Sequence, residues 1–97
     1  MGVKYVNISM QRGQIKVSPP VVKPSKLNRD TIEWRARPAT SPFLVCLGDR
    51  SPFLRRHFST GRAASGQIRA SIPVGSIFKY SVEFQGKVLD PGIIIDR

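Results

Sequence analysis

An all-β sandwich of about seven or eight short strands is the fold class this sequence predicts, and three observations predict it. Apolar residues recur with a period of two rather than 3.6. Eight glycines and eight prolines in 97 residues exceed what a helical bundle tolerates, since each proline removes a backbone donor and each glycine costs conformational entropy. Turn-forming clusters separate the apolar runs at short intervals, the pattern of a sandwich or barrel. A chain of this length buries one core and not two, so residues 1–97 are read as a single β-sandwich domain. An apolar fraction of 40% and a charged fraction of 23% argue against disorder.

The elements follow in order. Residues 3–9 and 14–18 read as two strands around the turn Gln11-Arg12-Gly13. Pro19, Pro20 and Pro24 make the next stretch extended but poorly paired, at a sheet edge or crossing between sheets. Over residues 31–37, Ile32, Trp34 and Ala36 point inward while Glu33, Arg35 and Arg37 point outward. Residues 42–47 are a nearly continuous apolar run (Phe43, Leu44, Val45, Cys46, Leu47), as expected of a central strand covered on both faces, and Gly48, Asp49 and Arg50 end it. Residues 54–64 hold a short helical turn at most. Residues 67–73 alternate again, with Ile68, Ala70 and Ile72 inward, and the turn Val74-Gly75-Ser76 makes them an antiparallel partner for residues 77–85. That last segment is the clearest strand: Phe78, Tyr80, Val82 and Phe84 share one face, Lys79, Ser81, Glu83 and Gln85 the other, with Ile77 an apolar exception at its start. Gln85-Gly86-Lys87 turns the chain, and Val88, Leu89 and residues 93–95 supply a final strand.

Sixteen Lys and Arg against six Asp and Glu give a formal charge of +10. Such a field attracts polyanions, whether single-stranded nucleic acid, an anionic membrane or an acidic protein. Cys46 is the one cysteine, so no internal disulfide forms and a disulfide-stapled secreted scaffold is excluded. No apolar run approaches the ~20 residues of a membrane helix, residues 1–16 lack a continuous apolar leader core, and Val6 breaks the myristoylation pattern. A cytoplasmic protein that does not engage a membrane is the expectation.

Catalytic chemistry is poorly supplied. His57 is a candidate base and Cys46 a candidate nucleophile, but one of each, separated by a basic loop, assembles no triad. Asp30, Glu33, Asp49, Glu83, Asp90 and Asp96 are scattered and read as turn residues and surface balance. There is no glycine-rich phosphate loop and no metal-ligand spacing, so no enzyme activity, metal or cofactor is expected. The strongest local signal is residues 50–62, where Arg50, Arg55, Arg56 and Arg62 interleave with Phe53, His57 and Phe58. Guanidinium groups grip phosphates, and aromatic rings in such a loop either stack on unpaired bases or anchor the loop to the core. Arg35, Arg37, Arg69 and Lys79 on strand faces extend this patch if their strands are neighbours.

The order Ile15-Lys16-Val17, a proline-rich stretch, then Asn28-Arg29-Asp30-Thr31-Ile32-Glu33-Trp34 resembles the first half of a cupredoxin-like sandwich. There a strand reading acidic–Thr–apolar–x–aromatic follows a turn. Gly75-Ser76-Ile77-Phe78-Lys79-Tyr80-Ser81-Val82 is similar to the Gly–x–apolar–x–x–Tyr penultimate strand of that family, and residues 89–95 resemble the end of its small relatives. The resemblance spans most of residues 14–95 and implies a Greek-key β-sandwich, cupredoxin-like in topology. It does not extend to copper. A blue-copper site needs two His, a Cys thiolate and usually an axial Met. Where the family clusters ligands after its tyrosine strand, this chain has Ser81, Val82, Gly86, Lys87, Asp90 and Pro91; Cys46 lies on another strand, and His57 is the sole histidine. The implied relative is metal-free. Two functional readings follow: a non-enzymatic β-sandwich interaction module whose partner is unknown, or a nucleic-acid-binding domain using the 50–62 loop and the adjoining Arg35 and Arg37 face.

Overall fold

The computed structural model describes residues 2–97. Ten strands follow one another: β1 (Val3–Gln11), β2 (Gln14–Ser18), β3 (Val21–Val22), β4 (Thr31–Ala36), β5 (Phe43–Cys46), β6 (His57–Ser59), β7 (Ile77–Lys79), β8 (Ser81–Phe84), β9 (Lys87–Leu89) and β10 (Gly92–Ile94). One turn of 3-10 helix, Gly48–Arg50, ends the run after β5, and no α-helix is present among the described residues.

β1 and β2 form a hairpin closed by Arg12 and Gly13, both at positive φ (53° and 77°). Two left-handed central residues define the turn whose twist matches that of the strands it joins, and a glycine at the second position lowers its strain. Gln85 and Gly86 repeat the arrangement between β8 and β9, with φ of 50° and 78°. The first layer has the order β2-β1-β4, with β1 parallel to β4. Its open edge is covered by residues 63–65: the Trp34 N–H donates to the Ala63 carbonyl (3.0 Å), the Ser65 N–H to the Ile32 carbonyl (2.8 Å), and the Ile32 N–H to Ser65 Oγ (2.8 Å).

The second layer contains two sheets, β6-β5-β8-β9 and β3-β10-β7, none closed into a barrel. One interrupted hairpin carries both. β8 pairs with β9 and β7 with β10, while the Tyr80 N–H donates to the Pro91 carbonyl (3.1 Å) at the junction. Between the layers lie Val6, Ile8, Ile32 and Trp34 from the first, and Val45, Phe58, Val82, Phe84 and Ile93 from the second. Phe53, Phe58, Trp34 and Tyr80 form a chain of ring contacts through this core: Phe53 edge-on to Phe58 (6.2 Å), Phe58 stacked on Trp34 (4.9 Å), Trp34 edge-on to Tyr80 (5.7 Å). Each such pair adds about 0.5–1.5 kcal/mol beyond its area burial.

A polar turn ties the chain ends together. Asp30, itself buried, accepts from the Ser25 N–H (2.8 Å), and Ser25 Oγ donates to the Arg97 carbonyl (2.7 Å). The Thr31 N–H donates to the Gly2 carbonyl, the Lys26 N–H to the Asp96 carbonyl and the Asp96 N–H to the Pro24 carbonyl, each at 2.9 Å.

Several expectations are corrected. Residues 67–73 form no strand and do not pair with the following segment; β7 pairs with β10 instead. Lys26 Nζ takes the Ala70 and Ile72 carbonyls, and the Arg69 N–H goes to the Pro52 carbonyl (2.8 Å), so the groups a ladder needs are already bonded. Ile68 and Ile72 still lean on the core, whereas Ala70 is exposed. The segment 77–85 keeps its alternation, with Tyr80, Val82 and Phe84 buried and Phe78 half-buried, but it is two strands that change partners at Tyr80. β5 is central yet covered on one face only: Leu44 is 38% exposed and Cys46 half-buried. Residues 54–64 contain β6 rather than a helical turn, Val88 and Leu89 belong to a different strand from Ile93 and Ile94, and Ile95 lies just beyond the last strand.

Candidate nucleic-acid interface

The basic loop is held from beneath. Ser51, buried, accepts from the Phe53 N–H (3.1 Å) and donates to the Arg55 carbonyl (2.8 Å), a side-chain-built turn. Arg69 Nη2 donates to the Ser51 carbonyl (3.0 Å), strapping the loop to residues 67–73. Phe53 and Phe58 are both 1% exposed. The structure thereby decides between the two roles open to these rings. They anchor the loop, and neither offers a face to a base.

What the anchors leave outside is cationic. Arg55, Arg56, His57 and Arg62 line one concavity of about 380 Å³ with Leu54 and Ser59, and no acid is among its lining residues. Arg55 is pre-positioned: its guanidinium lies 5.1 Å over the Phe58 ring, and Nη2 donates to the Ala64 carbonyl (3.0 Å). A guanidinium has five donors, so most of the Arg55 fork stays available to a phosphate. Arg62 reaches the same hollow because the Thr60-Gly61 turn folds it back opposite Ser59, with paired bonds of 2.8 and 3.2 Å between the two backbones. Leu54, 88% exposed, stands at the rim. Arg50 is exposed but lines neither this hollow nor the next.

Arg35 and Arg37 lie across the Thr60-Gly61 turn, in a second concavity of about 570 Å³ that also includes Asn7, Trp34, Thr60 and Gly61. The condition that these strands be neighbours of the loop is met, because residues 63–65 pair with β4. Arg69 is used on Ser51, and Lys79 sits on β7 in the far sheet. Residues that sequence reasoning did not single out, Leu54, Ser59, Asn7 and Thr60, join the two hollows. Leu54 and Ser59 fall inside the recognised loop; Asn7 carries the parity signal of β1, where Val6 and Ile8 are buried and Asn7 is exposed.

Cys46 and His57 are direct cross-strand partners on the outer face of β5 and β6, with Ser81 beyond Cys46 on β8. Among the described residues, no group of three or more His, Cys, Asp or Glu is placed to hold a metal ion. No helix there is long and apolar enough to cross a membrane. In comparisons with known proteins, no family model, no curated protein and no solved structure matches this chain.

Proposed function

We propose that this chain is a non-enzymatic binding module whose partner is single-stranded nucleic acid, gripped through its phosphates. The observation carrying this reading is the hollow that gathers Arg55, Arg56, His57 and Arg62, with no acid lining it, on a loop fastened to the core by Phe53 and Phe58. A rigid base lowers the ordering cost of long side chains, so more of the electrostatic attraction survives as affinity. The net charge of +10 supplies the long-range field. We read the sandwich as a metal-free, Greek-key relative of the cupredoxins. Support comes from the sequence resemblance carried by Ile15-Lys16-Val17, Asp30-Thr31-Ile32-Glu33-Trp34 and residues 75–82. A cytoplasmic setting, where a single half-buried thiol stays reduced, suits the same reading.

The test is binding to fluorescently labelled single-stranded DNA and RNA across a salt series. Affinity is expected to fall steeply with salt, and a combined Arg55→Ala and Arg56→Ala variant to flatten the logarithmic slope by about one for each phosphate no longer neutralised. Absence of binding at low salt overturns the proposal.

A protein partner is the second reading, favoured by the outer face of β3-β10-β7. There Ile77, 70% exposed, stands beside Ile94, and Val21 and Lys79 flank Gly92. Ile77→Asp would abolish capture of such a partner and leave nucleic-acid affinity unchanged.

A further inference from the structure

With Phe53 and Phe58 buried, a base-stacking surface has to come from elsewhere, and β1 supplies one. Tyr5 is 42% exposed on the outer face of the first layer. Its register partner on β4 is Glu33, and Asn7, two residues on, partners Arg35. The Arg35 guanidinium carbon lies 3.7 Å from the centre of the Tyr5 ring, within van der Waals contact. Glu33 Oε2 accepts from Arg35 Nε and pairs with Nη2, each at 3.3 Å, which fixes the guanidinium over the ring and offsets the charge of this carboxylate. Both charged side chains stay substantially exposed, at 54% and 39%.

We propose that Tyr5 and Arg35 form a stacking platform for an unpaired nucleobase, with Asn7 presenting its amide to the base edge and Arg37 holding the adjoining phosphate. This deepens the nucleic-acid reading and rests on it. Aromatic rings and guanidinium planes are the two surfaces on which unpaired bases stack, and here they already touch before any ligand arrives. Arg35, Arg37 and Asn7 line the same hollow of about 570 Å³, whose Thr60 and Gly61 are flanked in the chain by Ser59 and Arg62 of the other hollow. A single strand therefore runs past the Thr60-Gly61 turn, its backbone on the arginines of the loop and a base on the Arg35–Tyr5 stack. A duplex, whose bases are already stacked and paired, cannot use the platform.

The experiment compares an oligothymidylate of about ten nucleotides with an abasic phosphodiester of the same length and charge, using the whole chain. The wild-type protein is expected to bind the oligothymidylate about tenfold more tightly. Tyr5→Ala is expected to remove that preference while keeping the abasic affinity and its salt slope, and Tyr5→Phe to retain it. Tyr5→Leu, which keeps an apolar strand residue under Arg35, serves if the alanine variant melts early, and is also expected to lose the preference. Equal wild-type affinity for the two polymers, or an equal drop on both in the Tyr5 variants, overturns the stacking platform and leaves the phosphate-gripping reading intact. Failure of both polymers to bind at low salt overturns that reading and the platform with it.

Discussion

Tyr80 makes the fold sensitive to alkali in a way that can be worked out from its surroundings. The phenol is 3% exposed, and Trp34 Nε1–H donates to its oxygen at 3.3 Å. Burial disfavours the phenolate and outweighs the opposing effect of the Trp34 hydrogen bond, so the pKa rises from 10.0 to about 12. Below pH 10 both the folded and unfolded chains keep this proton, and Tyr80 imposes no pH dependence. Between 10 and 12 the unfolded chain loses it while the folded chain retains it, so stability falls as pH rises. A displacement of this size corresponds to about 3 kcal/mol. Replacing Tyr80 with Phe removes that penalty but leaves the buried Trp34 N–H without a partner, a cost of about 1–3 kcal/mol at neutral pH. Urea unfolding followed by Trp34 fluorescence is expected to find Tyr80→Phe the less stable protein near neutrality, and the gap is expected to close as pH approaches 12. Every other ionisable group is common to the two proteins, so the difference between them isolates Tyr80. In a Tyr5→Phe background, phenolate absorbance reports Tyr80 alone and is expected to appear well above pH 10. Parallel stability profiles for wild type and Tyr80→Phe, or native phenolate formation near 10, would show that burial does not hold the Tyr80 proton.

Ser65→Ala deprives the buried Ile32 N–H of its acceptor and loosens the 63–65 cover on β4; a loss of about 1–3 kcal/mol in the urea midpoint analysis is expected, and an unchanged midpoint would show that water replaces the hydroxyl. Gln85→Asn puts a residue tolerant of positive φ at the first central position of the β8–β9 turn; a gain of a few tenths to about 1 kcal/mol is expected by thermal melting, with no change in nucleic-acid affinity.

The parts of the fold visible in the sequence are those governed by parity. Ile32, Trp34 and Ala36, like Tyr80, Val82 and Phe84, are buried because alternation along a strand assigns them to one face whatever the partner is. Parity says nothing about which strand lies alongside, so the change of partners at Tyr80 left no mark. Residues 67–73 misled because they alternate like a strand while their backbone bonds are claimed by Lys26, more than forty residues earlier in the chain, and by Pro52. Most of the arginine cluster was legible from composition, since Arg55, Arg56 and Arg62 fall within one short loop and share a hollow, whereas Arg50 lies outside it. The direction of Phe53 was not, because an aromatic ring in an irregular loop carries no periodic constraint, and β6 around Phe58 is too short, at three residues, to show its alternation. Tyr5 was available to the same parity reasoning: Val6 and Ile8 turned inward place it outward, but an aromatic ring on a strand is more readily taken for core.

β10 lies between β3 and β7, with β3 drawn from the first quarter of the chain. Its Ile93 is buried and pairs with Val22, some seventy positions earlier, and Ile95 just after it is buried too. No shortened chain ending before Gly92 can close this core, and forming it requires a long loop to close before the contact rewards it. Folding is accordingly expected on the millisecond-to-second scale of non-local β architectures. Until that segment docks, the apolar faces of β7 and β3 lie open to neighbouring molecules, which makes crowding during folding the period of greatest aggregation risk.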